Sequence, residues 1–185
     1  MDRDIVFIAL FAALVIALGF IPPIMLPIGV PITAQTLGVM LCGTVLGAKR
    51  GALAVLLVLV LVLIGLVPLS GGRTGIGLLA SPTAGFLIGW PIAAFVTGLM
   101  VEHVRSIPMV TIAIIASVVG GIIVLYAFGI AGMSINLNKP LLEAAALVLV
   151  YIPGDVVKAV IAGFLTGALF KARPHSVLSR GLSTT

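Results

Sequence analysis

Residues 51–69 read GALAVLLVLVLVLIGLVPL, with no charged side chain among them, and they follow directly on Lys49-Arg50. A helix needs about 20 mostly apolar residues to cross the hydrocarbon core of a bilayer. This stretch therefore predicts a membrane-crossing helix with a cationic pair at one end. Working outward, mostly apolar runs occupy residues 5–21, 32–48, 82–101, 108–130 and 154–170. Pro22-Pro23 ends the first run and Lys49-Arg50 ends the second. The chain is read as an all-α integral membrane protein with six transmembrane helices in a single membrane domain, residues 1–185.

Composition agrees with that reading. Of the 185 residues, 62% are hydrophobic and 8% charged, with a mean hydropathy of +1.40. A soluble domain carries roughly 25% charged residues, so lipid must serve as solvent for much of this surface. The 22 glycines and 11 prolines suit close helix packing and broken backbone at membrane depth. The first run is treated as a retained helix and not a signal peptide, because Asp2-Arg3-Asp4 has no net positive charge. Cys42 is the single cysteine, which excludes an intrachain disulfide.

The formal net charge of +5 is a topology signal here, not a nucleic-acid footprint. With six crossings, one side collects Arg3, Lys49, Arg50, Arg105, Lys171, Arg173 and Arg180, and the other collects Arg73 and Lys139. That bias predicts both termini in the cytoplasm. The glycine-rich stretch 70–81 is then an outer loop. A short outer apolar segment, 141–152, precedes Pro153-Gly154, two helix breakers.

Two ionisable groups lie well inside an apolar span, Asp155 and Lys158. Each costs ~2.5–3.5 kcal/mol at the bilayer centre, so each needs a reason to be there. Their i, i+3 spacing puts both on one helix face. They form either a self-neutralising structural pair or a polar platform for a ligand. Asp155 lies 16 residues before Lys171, roughly 24 Å along a helix, toward the outer face. In the outer loop, Arg73 is a solvated arginine or a bidentate partner for a carboxylate. Gln35, with Thr33 and Thr36, bonds a neighbouring helix or a ligand. Trp90 is an interfacial anchor or a stacking surface. Ala9, Ala13 and Ala17 form a small-residue stripe for an internal contact or a docking partner.

Enzyme chemistry has little support. His103 and His175 sit at the ends of apolar runs, and no metal-spaced cysteines or histidines occur. A membrane hydrolase would lack a histidine base within the spans. A stand-alone transporter driven by protons through Asp155 stays open, and would show uptake without ATPase partners. No Walker motif is present and no cofactor is expected.

These motifs resemble the BioY family, the biotin-specific S component of energy-coupling-factor (ECF) vitamin transporters. The resemblance runs through Val30-Pro31-Ile32-Thr33-Ala34-Gln35-Thr36-Leu37, Leu46-Gly47-Ala48-Lys49-Arg50-Gly51, the Gly71–Gly77 loop with Ser81-Pro82-Thr83-Ala84-Gly85-Phe86-Leu87-Ile88-Gly89, and Tyr151-Ile152-Pro153-Gly154-Asp155 with Lys158. Arg73 and Ser81 depart from the family's commoner loop pattern. The resemblance implies an S-component fold in the cell membrane of a prokaryote. It implies biotin, or another small vitamin, as ligand, and a transmembrane T component with two cytoplasmic ATP-binding subunits as partners. Substrate-binding candidates are Asp155, Lys158, Gln35, Arg73, Thr83, Trp90 and Phe86, with Ala9, Ala13 and Ala17 as the T-component contact. Biotin's ureido group offers two N–H donors and a carbonyl acceptor to Asp155, Lys158 or Gln35. Its bicycle and tail suit Phe86 and Trp90, and its carboxylate suits Arg73 or Lys158.

Overall fold

The computed structural model describes residues 2–25 and 31–181; Val30, which opens the first family motif, lies outside them. Among the described residues the chain forms helices α1 (Asp2–Gly19), α2 (Gln35–Leu46), α3 (Ala48–Leu63), α4 (Ala84–His103), α5 (Met109–Leu137) and α6 (Leu141–Ala172). A two-residue antiparallel ladder, β1 (Ile24–Met25) with β2 (Pro31–Ile32), lies between α1 and α2. By length and composition α4, α5 and α6 can each cross a membrane, and α2 is a shorter apolar helix. Large apolar side chains on the outward faces, among them Leu10, Leu53, Val157 and Phe164, are exposed. Such a surface calls for lipid around it.

Helix ends follow local chemistry more closely than the apolar runs do. The run 51–69 continues to Leu69, but α3 stops at Leu63. Gly65 takes a φ of +86°, the Leu66 N–H donates to the Leu61 carbonyl at 2.9 Å, and the Gly65 N–H donates to the Val62 carbonyl at 3.1 Å. This is a Schellman stop, and glycine adopts its left-handed turn without strain. The run 108–130 extends instead to Leu137. There Asn138, at φ 51°, ends α5 the same way, with Lys139 N–H to the Ser134 carbonyl at 3.1 Å, and Pro140 follows.

The region 141–170 keeps its helical course across the Pro153-Gly154 pair. It tightens to a 3₁₀ turn at Leu149–Tyr151 and resumes as α-helix at Ile152. Proline has no N–H to give the carbonyl four residues back, Leu149. The Ile152 N–H takes that carbonyl in an i to i−3 bond. The resumed α-helical stretch therefore carries Asp155 in its first turn.

Helix α4 is the central post, packed on α2, α3 and α5. Its contact with the start of α3 is backbone on backbone. A Cβ placed on Gly98 would lie 2.2 Å from the Gly47 carbonyl carbon and 2.3 Å from the Ala48 nitrogen. One turn on, a Glu102 carboxylate oxygen accepts from the Ala48 N–H at 2.9 Å. Gly98→Ala is expected to overpack this crossing and cost about 1–3 kcal/mol. A lowered melting temperature of the detergent-purified variant would register it, and an unchanged one would refute the crossing.

The end of the bundle opposite the Asp155 turn gathers most of the cations. Arg50 pairs with Asp4 at 2.9 Å, Arg3 donates to the His175 carbonyl, and Arg180 donates to the Val104 carbonyl at 2.8 Å. Short turns at Pro174–Ser176 and Leu178–Arg180 fold beneath the helices, burying Val177 and Ser179.

Candidate functional site

Asp155 projects from the first turn of the resumed α6 into the bundle and is 5% exposed. A carboxylate so buried is costly unless paired and hydrogen-bonded. Lys158, one turn along, donates to its Oδ1 at 2.8 Å. Thr36 of α2 bridges the pair, accepting from Lys158 Nζ at 2.9 Å and donating to Asp155 Oδ1 at 3.2 Å. Tyr126 of α5 donates its hydroxyl proton to Oδ2 at 2.7 Å. The i, i+3 spacing thus yields a neutral couple held by three helices.

This couple forms part of the wall of a small hollow between the helices and the loop that joins α3 to α4. Gln35, Arg73, Thr83, Phe86, Trp90, Asp155 and Lys158 all line it. The remainder of the wall is largely apolar, with Ile32, Leu69, Leu87 and Leu125. Trp90 faces this hollow and is 5% exposed, so its ring is buried in the bundle and not turned outward to lipid. Phe86 meets Tyr151 edge-on, with ring centroids 6.3 Å apart.

Arg73 reaches the hollow from the loop between α3 and α4. Its Nη1 donates to Thr83 Oγ1 at 3.4 Å, and Thr83 Oγ1 shares a 2.7 Å bond with Ser81 Oγ. Its Nε is buried without a hydrogen-bond partner among the described residues, and burial lowers the guanidinium's pKa from its ordinary value. No carboxylate among the described residues pairs with it. Gln35 lines the hollow and also braces it. Its Oε1 accepts from the Ser70 N–H at 3.1 Å and its Nε2 donates to the Val15 carbonyl at 3.5 Å, tying the loop to α1.

The BioY family pattern matches residues 2–175. The chain belongs to the BioY family. A "Biotin transporter BioY" of Rhodobacter capsulatus is 53% identical, over 98% of this chain and all of the relative. One from Rhizobium etli is 52% identical over 93% and 95% of the two chains. The crystal structure of an S-component for biotin from an ECF-type ABC transporter superposes with a TM-score of 0.86, at 32% identity over 92% of each chain. The BioY assignment makes this chain a transporter subunit, not an enzyme.

In this BioY chain the sequence reading gave no role to two residues at the site, Tyr126 and Tyr151, the second quoted only within a family motif. Both sit in apolar stretches where helix packing suffices to explain an aromatic ring. For Tyr126 the available signal was the hydroxyl itself, because a buried tyrosine O–H needs a partner and Asp155 is the acid it finds. On α1, Ala9, Ala13 and Ala17 are exposed, while Phe11, Ala12 and Val15 take the buried face. The alanine stripe is not an internal contact.

Proposed function

We propose that this chain is the biotin-binding subunit of a multi-pass transporter in a prokaryotic cell membrane, capturing its ligand in the hollow beside Asp155. On this reading all six helices cross the membrane. The cation-rich end, with both termini, lies in the cytoplasm, and the hollow opens outward. A transmembrane T component and two cytoplasmic ATP-binding subunits supply the energy.

The observation that carries the reading is the charge arrangement of the hollow. Asp155 and Lys158 cancel, so that part of the site suits a neutral polar group with donors and an acceptor, as a ureido ring has. Arg73 is uncompensated, so it suits an anion. An apolar wall with Phe86 and Trp90 serves the remaining surface. Biotin combines a neutral ureido ring, a thioether bicycle, an aliphatic tail and a carboxylate. Thr83 steadies the guanidinium of Arg73, and Gln35 holds the loop that delivers it.

Calorimetry on the purified chain with biotin and biotin methyl ester tests the carboxylate assignment. Arg73→Gln should weaken biotin by about tenfold, the worth of a charge-assisted hydrogen bond, and leave the ester unchanged. Equal effects on both ligands would remove Arg73 from the carboxylate.

A further inference from the structure

We infer that Tyr126, which does not line the hollow, is a positioning residue that sets how Asp155 is presented to the ligand; this rests on the biotin reading above. Its hydroxyl donates to Asp155 Oδ2 at 2.7 Å. The residue is 7% exposed, so water does not compete for that bond. Its ring meets Phe86 edge-on, centroids 6.1 Å apart and planes at 81°. Tyr126 thus touches two wall residues, one polar and one aromatic, from behind.

Counting lone pairs shows what the hydroxyl does. A carboxylate has about four acceptor sites. On Asp155, Lys158 and Thr36 occupy Oδ1 and Tyr126 occupies one site on Oδ2. We assign the fourth site, on Oδ2, to a single ligand N–H. Lys158 has three N–H donors, two of them spent on Asp155 and Thr36, so one remains for the ligand carbonyl. Tyr126 therefore does two things. It pins the carboxylate plane so that the free site stays in register with the free Lys158 proton. It also draws charge from Oδ2, which tunes the site to a neutral ring and against a cationic one.

The phenol's seat is built for that geometry. One turn along α5, a Cβ on Gly129 would lie 2.3 Å from the Phe86 ring. The bare glycine lets Phe86 stand against α5 with its ring edge-on to Tyr126.

The test compares biotin with 2-iminobiotin, whose ring is a cation at neutral pH, by calorimetry on wild type and Tyr126→Phe in detergent. The variant should bind biotin about tenfold more weakly and lose less affinity for 2-iminobiotin, because Oδ2 recovers its charge. The ratio of the two affinities is independent of how much of the variant is folded. Unchanged affinities, or equal losses for both ligands, would overturn the positioning role. Failure of the wild-type chain to bind biotin at all would instead overturn the functional reading beneath it.

Discussion

Lys158→Ala and Asp155→Asn are each expected to weaken biotin binding by about a hundredfold or more, with the helices still assembled. Removing one partner of a buried pair leaves the other charge uncompensated, at a cost of about 3–5 kcal/mol. In Lys158→Ala the Asp155 carboxylate keeps Tyr126 and Thr36 as donors but loses its counter-charge, and the ligand carbonyl loses its donor. In Asp155→Asn the ammonium of Lys158 stands unpaired in the same hollow as Arg73, so two like charges line it without an acid between them to offset either. The double variant Asp155→Asn with Lys158→Met separates fold from function. It removes both charges, so thermal stability should recover above that of either single variant, while biotin binding stays lost. Wild-type affinity in either single variant, measured by calorimetry, would take the couple out of the binding site.

Ala13→Trp is expected to abolish recovery of the T component in a pull-down while leaving biotin affinity within about twofold, as for sites far apart with no shared partners. Ala9, Ala13 and Ala17 turn away from the bundle, and their neighbours Ile5, Val6 and Leu10 are exposed apolar side chains. Small residues at such a face let another helix backbone approach closely. An indole at its centre would hold that helix away along the whole contact. Ala12, on the buried face, is not part of this surface. Intact co-purification of the T component with Ala13→Trp would refute the docking face, whatever the state of the hollow.

Several parts of the molecule were legible without coordinates because they rest on composition or local spacing. The lack of charge across 51–69 needs only a count, and the facing of Asp155 and Lys158 needs only the helical repeat. Other parts hinged on terms that the apolar count does not weigh. Gly65 cut α3 short and Asn138 closed α5, since a left-handed residue with its paired hydrogen bonds outweighs further apolar side chains. Pro153 altered α6 without breaking it, because a 3₁₀ bond from Ile152 satisfied the carbonyl that proline leaves free.

By itself the sequence determined that lipid is the solvent for this chain and that one acid and one base share a helical face inside it, because hydropathy and the 3.6-residue repeat are local properties. Only the tertiary structure decided that Thr36 and Tyr126 complete the couple, that Trp90 faces the hollow, and that Arg73, unlike Lys158, pairs with no acid among the described residues. Those facts depend on which helices meet at which depth. Packing of glycines such as Gly98 and Gly129 against particular neighbours sets that depth, and the pattern along the chain records no such distances.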